Sequence, residues 1–418
     1  MPKDVPQIAQ YTQVKKELIM PSLFLKKGRE SSLLRFHPWI FSGAVAKTEG
    51  NPDEGDIVAV YSSDRELMGC GHYQVGSITV RILAFDNSPL EPGFWEQRIA
   101  EAFDARQKTG LITGSNTNSY RLVHGEGDML PGLVLDYYNG VVVLQAHSAG
   151  MLRERDKIVS ALRRVLGNML LAVYDKSSST APFKAGIDLT EGYLYKKGGF
   201  AADQSFILEN GLKFRVDWEE GQKTGFFLDQ RDNRALVKSC SNGKRVLNLF
   251  CYTGGFSVYA MAGGASLVHS VDSSSKAIEM TDLNIKANYS GEGGFAHNSY
   301  CTDAIDFLKN SKEGRYDLMI VDPPAFAKHR DALKNALRAY QRLNFNAISK
   351  IAPGGLIFTF SCSQIVDKIS FAEAVFSAAA LSRRKVRIVG RLSQPSDHPV
   401  NIFHPEGEYL KGLALLVD

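Results

Sequence analysis

The stretch that most limits what this chain can become is Arg245 to Asp272, RVLNLFCYTGGFSVYAMAGGASLVHSVD. Val246, Leu247, Leu249 and Phe250 form a short apolar run suited to a buried parallel strand. Thr253, Gly254 and Gly255 then let the backbone turn tightly. Phe256, Val258 and Met261 give a following helix its apolar side, Gly263 and Gly264 end it, and Leu267 to Val271 make a second strand closing on Asp272. Strand, helix and strand in this order open a nucleotide-binding α/β domain. The acid lies about 20 residues past the glycines, where an adenosine ribose is held.

The glycines say which nucleotide. A pyrophosphate seat needs Gly-x-Gly-x-x-Gly, so that phosphates can approach the backbone and the helix N-terminus. Here Gly254 and Gly255 are adjacent and no third glycine follows at that spacing. S-adenosylmethionine, with ribose and adenine but no phosphate, suits the loop better. A glycine pair alone is equally a plain turn; the acid and the downstream elements point to the cofactor.

A chain of 418 residues predicts two or three domains. No run approaches a membrane span, no signal peptide is visible, and a cytoplasmic protein is expected. Cys70, Cys240, Cys251, Cys301 and Cys362 are scattered without Cys-x-x-Cys spacing, which indicates neither a disulfide framework nor a metal site. Among the first 50 residues Lys3, Lys15, Lys16, Lys26, Lys27, Arg29, Arg35 and Lys47 face only Asp4, Glu17, Glu30 and Glu49. Such a local excess marks either a nucleic-acid surface or a solvated face.

Taken in order, residues 1–20 show no periodicity and form an N-terminal extension. In 21–92, Lys26, Lys27, Arg29, Arg35, His37, Trp39 and Phe41 mix cations with rings, as nucleic-acid modules do; Trp39 and Phe41 are otherwise core. Strands are expected at 56–61, 68–73 and 77–85, giving a compact β-barrel. Residues 93–195 read as an α+β unit: a helix over 92–110, strands at 120–123, 133–137 and 141–146, and a helix over 151–166. The remainder, 196–418, opens with 206–217 and the loop GQKTGFFLDQRDNR, in which Asp229, Gln230 and Arg231 either cover an adenosine or, for Asp229, cap the next helix. Strands three to five follow: 296–303 ending in Asp303, 316–322 ending in DPPAF, and 356–362 ending in FSCS. An antiparallel pair at 385–392 and 409–417 closes the chain.

Ligands sit beyond the carboxyl ends of such strands, where strand order reverses. With order 3-2-1-4-5, Asp322 and Cys362 end neighbouring strands about 4.8 Å apart and share a pocket. That pair favours a pyrimidine. Carbon 5 of cytosine is a poor nucleophile until a thiolate adds to carbon 6; Cys362 is the candidate thiolate, with Asp322 on the N3/N4 edge of the base. Cys362 is otherwise a small buried hydrophobe. DPPAF has a second reading, amino-group methylation of adenine with Phe326 stacked on the base, which needs no thiol. A third is an RNA-binding protein whose methyltransferase fold is inactive.

The segments KKGRESSLLRFHPWIFSGAV, KTGFFLDQRDNR, LNLFCYTGGFSV, VDPPAF, FSCSQ and DHP…PEGEYLKG occur in that order. Together they resemble the bacterial 23S ribosomal RNA (cytosine-5)-methyltransferase type I family and its archaeal relatives, from about Leu23 onward. The resemblance implies an N-terminal PUA-like RNA-binding domain, a central α+β domain and a C-terminal Rossmann-like class I methyltransferase domain, with Cys362 as nucleophile. In that reading Asn248, Phe250, Tyr252, Thr253, Gly254, Gly255 and Phe256 cradle S-adenosylmethionine. Asp272 and Ser273 meet its ribose, Asp303 its adenine amine, Asp322 and Pro323 border its methyl group, and Asp229, Gln230 and Arg231 cover it. Lys26, Lys27, Arg29, Arg35 and Trp39 bind ribosomal RNA, and a homodimer is compatible with the layout. One departure stands out. Wider RNA 5-methylcytosine enzymes carry a second cysteine after Pro-Pro, where this chain has Ala325. Removal of the C5 proton then falls to another group, with Asp322, Asp397 and His398 as candidates.

Overall fold

The computed structural model describes residues 20–85, 91–181, 189–201, 206–289, 296–327 and 329–418. Apart from Met20, the expected N-terminal extension lies outside these, as does the end of the first unit at 86–90.

The first sheet has six strands: β1 (Ser22–Leu25), β2 (Trp39–Phe41), β3 (Val45–Glu49), β4 (Ile57–Tyr61), β5 (Leu67–Tyr73) and β6 (Ile78–Ala84). Their order is β2-β6-β5-β4-β1-β3. The two outer strands are consecutive in the chain, joined by the turn Ser42–Ala44, so the sheet curls back on itself. Leu23, Leu25, Ile40, Val58, Val60, Val80 and Ile82 fill its inside. Phe41 is not core as one reading had it; it is 48% exposed.

The second layer comprises α1 (Phe94–Lys108), β7 (Ser119–His124), β8 (Leu133–Tyr138), β9 (Val141–Ala146), α2 (Ala149–Arg153), α3 (Arg155–Leu166), β10 (Ala172–Asp175) and β11 (Gly192–Lys196). The sheet order is β11-β10-β9-β8-β7. The expected single helix over 151–166 begins two residues earlier and breaks at Glu154, between α2 and α3. One face of the sheet packs Leu122, Leu135 and Leu144 against Ile99, Ile158 and Leu162. On the other, Tyr138, Val141, Val143 and Tyr174 share a core with Ile207, Phe214, Trp218, Phe226 and Phe256. The expected boundary at 195/196 therefore falls between elements that bury their apolar surface together.

A hairpin, β12 (Phe206–Glu209) and β13 (Leu212–Arg215), and α4 (Arg231–Ser239) lead into the last layer. This contains β14 (Arg245–Leu249), α5 (Gly255–Ala262), β15 (Leu267–Asp272), α6 (Ser275–Asn288), β16 (Ala296–Cys301), α7 (Ala304–Asn310), β17 (Leu318–Val321), α8 (Leu333–Lys350), β18 (Gly355–Ser361), α9 (Lys368–Ser382), β19 (Val386–Ser393) and β20 (Lys411–Val417). The order is β16-β15-β14-β17-β18-β20-β19. The first five strands run parallel in the expected order, and β20 is antiparallel between β18 and β19. Alternation along β14 explains its apolar run: Val246 faces one core, Leu247 and Leu249 the other. The order reverses at β14, so the chain after β14 and after β17 flanks one cleft.

Candidate active site

The loop after β14 is held in an unusual shape. Phe250, Tyr252 and Gly254 all have positive φ (57°, 48° and 75°). Only at Gly254 does a neighbour also forbid a side chain, because a Cβ there would meet Thr281 Cγ2 at 2.6 Å. The loop is fixed from α6 and β15: Thr281 Oγ1 donates to the Tyr252 carbonyl at 2.9 Å, Asn284 Nδ2 to that of Thr253 at 2.8 Å, and Asp272 Oδ2 accepts from the Tyr252 N–H at 2.9 Å. Asp272 Oδ1 takes the Ser274 N–H at 3.0 Å.

Beside this loop lies a cleft of about 230 Å³. Phe250, Tyr252, Thr253, Gly255, Phe256, Asp272, Ser273, Asp322, Pro323, Asp229, Gln230 and Cys362 all line it. Four expected residues do not. Asn248 is buried behind the loop, its Nδ2 on Ser257 Oγ at 2.9 Å. Gly254 turns the backbone without lining the cleft. Asp303 instead caps α7, accepting from the Ile305 and Asp306 N–H groups at 2.9 Å each. Arg231 points away: its guanidinium grips both oxygens of Asp397 at 2.9 Å and reaches the Ser119 carbonyl at 3.2 Å.

That last contact also removes Asp397 from the cleft. Asp397 is fully buried and accepts from the Arg121 N–H as well, while its own carbonyl takes Arg106 Nη2. Burial would raise its carboxyl, but the charges and hydrogen bonds of Arg231 and His398 together outweigh it and leave the group well below the ordinary range. His398, also buried, stacks at a tilt on His124 with centroids 5.0 Å apart. Neither lines the cleft, so neither is placed to take a proton from a base there.

The capping reading of Asp229 is corrected as well. The N-cap of α4 is Gln230, without a side-chain cap, and Asp229 Oδ2 accepts from Tyr409 OH at 2.7 Å. Gln230 bridges inward. Its Nε2 donates to Asp322 Oδ2 at 3.0 Å while its Oε1 accepts from Asn233 Nδ2 at 2.6 Å, which fixes the orientation of the amide. Burial, then the charge of Asp229, push the Asp322 carboxyl up to about 7. Lys223 and neighbouring donors outweigh burial at Asp229 and hold it below the ordinary value. Burial and Asp322 raise the Cys362 thiol.

Several lining residues had no role of their own in the sequence reading: Gln222, Lys223, Phe226, Phe227, Arg234, Pro324 and Leu410. Arg234 ties α4 to the hairpin through Glu209, at 2.8 and 2.7 Å. Lys176, at the end of β10, donates to the Trp218, Glu219 and Gly221 carbonyls and so positions the Gln222–Lys223 segment. The sequence signal was the GQKTGFFLDQRDNR loop, from which only Asp229, Gln230 and Arg231 were expected to cover the adenosine.

On the first sheet Lys26, Lys27, Arg29 and Arg35 are exposed, and none has a carboxylate partner among the described residues. Trp39 differs. Its indole N–H donates to Glu126 Oε1 at 2.8 Å and its ring meets His404 at 4.3 Å, so it seals the first sheet onto the rest of the chain.

The family model for S-adenosylmethionine-dependent methyltransferases matches residues 120–404, and that for PUA-like domains matches 23–85. Proteins named ribosomal RNA large subunit methyltransferase I from Aeromonas hydrophila and Pseudoalteromonas atlantica are 39% and 40% identical, each over 94% of this chain and 98% of its own length. The chain belongs to this family. Among solved structures, a Streptococcus mutans protein described as an S-adenosylmethionine-dependent methyltransferase shares 25% identity, with a TM-score of 0.79 over 95% of this chain and all of its own. Another at the same score was solved with S-adenosylhomocysteine bound. S-adenosylmethionine is thus the cofactor of this methyltransferase, and the cleft fits it. Backbone at Gly255 borders the cleft without a side chain, and the Asp272 carboxylate lines it at the end of β15, where the fold holds a ribose.

Proposed function

We propose that this methyltransferase acts on large-subunit ribosomal RNA and methylates carbon 5 of a cytosine, with Cys362 as nucleophile. The names of its relatives support the RNA, and one observation carries the chemistry: Cys362 and Asp322 line the same cleft as the cofactor loop. S-adenosylmethionine, when bound, supplies an electrophilic methyl group. Cys362 Sγ adds to C6 of the base. Asp322, near half-protonated at neutral pH, donates to N3 and offsets the charge that addition places on the ring. The enamine so formed carries its electron pair at C5, where the methyl is accepted. The C5 proton leaves to Asp229 or Asp322, two of the cleft's carboxylates; the C5=C6 bond re-forms, the Sγ–C6 bond breaks to return the thiolate, and N3 gives up the proton it received.

The adenine-amine reading needs Phe326 over the substrate. Phe326 instead packs on Tyr340, centroids 4.7 Å apart, and is not among the cleft-lining residues. The test is nucleoside analysis of ribosomal RNA from cells lacking the gene after incubation with labelled cofactor and protein. Label in 5-methylcytidine is expected; label in N6-methyladenosine, or none with cofactor still bound, would overturn the reading.

A further inference from the structure

Lys411 is a buried cation with no carboxylate in ion-pair contact among the described residues. It opens β20, pairs in register with Ser361 and is 6% exposed. Its ammonium donates to the Ser363 and Val366 carbonyls, at 2.5 Å each. These carbonyls belong to the turn that begins at Cys362. Ser363 Oγ in addition donates to the Ala327 carbonyl at 2.8 Å, tying that turn to the DPPAF segment.

No carboxylate touches this ammonium among the described residues; Asp367 and Glu408 act on it only from a distance. Glu408 is paired with Lys368, and Asp367 caps α9 through the Ser370 N–H at 2.7 Å. A buried charge satisfied by carbonyl dipoles alone is costly unless a counter-ion is available when the protein works. The Cys362 thiol, in the residue adjoining Ser363, acts on this ammonium ahead of Asp367 and Glu408. We propose that Lys411 is a positioning residue for Cys362, clamping the turn that presents the thiol and serving as counter-ion of its thiolate.

The proposal rests on Cys362 being the nucleophile. Burial pulls the Lys411 ammonium down to about 8, so it is still charged at neutral pH. Asp322 and Asp229 face the thiol as opposing anions and Lys223 as a cation, so the contribution proposed for Lys411 adds to that of Lys223 against two carboxylates.

Alkylation of Cys362 by iodoacetamide, read from pH 6 to 10 by peptide mass spectrometry on the full chain, tests this without methyl transfer. Lys411→Gln keeps a donor for the carbonyls and Lys411→Met keeps none; both lose the charge. Each is expected to react about tenfold more slowly at pH 7.5, with the midpoint about one unit higher, whereas Lys411→Arg stays within about twofold of the parent. S-adenosylhomocysteine binding reports folding. An unchanged midpoint in either folded neutral variant reduces Lys411 to a structural clamp and overturns the proposal. Should neither fold, the parent decides: the profile of a coupled pair has two steps, with an inflection near 8, and a single step contradicts it. Methylation by Cys362→Ala would remove the nucleophile reading while leaving these profiles as they are, so the two claims fail separately.

Discussion

The acids that close β15 and follow β17, Asp272 and Asp322, stand on the two strands flanking β14, yet they are held in different ways. Asp272 spends both oxygens on backbone N–H groups, those of Tyr252 and Ser274, and thereby shapes the cofactor loop. Asp322 is held by a side chain, Gln230, and crowded by burial and a second carboxylate until its proton is retained to about 7. The cofactor half of the cleft is a property of local backbone. The half to which we assign the chemistry is assembled from side chains at 229–230, 322 and 362, whose positions depend on distant packing.

The largest expected effect tests that dependence. Arg231→Met leaves the buried Asp397 carboxylate without its partner and should lower unfolding free energy by about 3–5 kcal/mol in urea titrations. A loss below about 1 kcal/mol would mean that the segment carrying Asp229 and Gln230 is not anchored there. The next effect separates the two acids. Asp272→Ala should weaken S-adenosylhomocysteine binding by about 10- to 100-fold in calorimetry, roughly 1.4–2.8 kcal/mol, while Asp322→Asn changes it by less than about threefold. The reverse ranking would erase the distinction.

The smallest effect concerns stability against pH. Asp322 has a raised folded-state value, so between the ordinary carboxylate value and about 7 the folded protein holds a proton that the unfolded chain has released. Its contribution is fully present at low pH and lost as pH rises through 7. Asp322→Asn should therefore stabilise the protein by about 1–2 kcal/mol at pH 8 and by little at pH 4, measured by urea titration at both. Equal effects at the two pH values would show that Asp322 titrates normally.

What the sequence made legible follows the same division. The order of the parallel strands, the antiparallel β19–β20 closure and the loop from Phe250 to Phe256 were readable because glycines, acids and apolar runs sit within a few residues of their partners. Arg231 was not. It follows Gln230 directly, but the start of α4 sends the two side chains to opposite sides, one to Asp322 and the other to Asp397, 166 residues away. Asp303 matched the expected strand-end pattern and nonetheless caps its own helix. Strand β10 was missed because Ala172–Asp175 is only four residues long, too short for periodicity to distinguish a strand from a buried loop. Trp39 carried the right chemistry for RNA, but a carboxylate from another unit, Glu126, takes its N–H.

The central claim is that the thiol beside Asp322 does the chemistry. The most direct measurement compares the parent with Cys362→Ala under single-turnover conditions, with labelled cofactor and unmodified ribosomal RNA, and follows 5-methylcytidine. The variant should bind cofactor as the parent does and form product at least about 10⁴-fold more slowly. Methylation within tenfold of the parent would contradict the account.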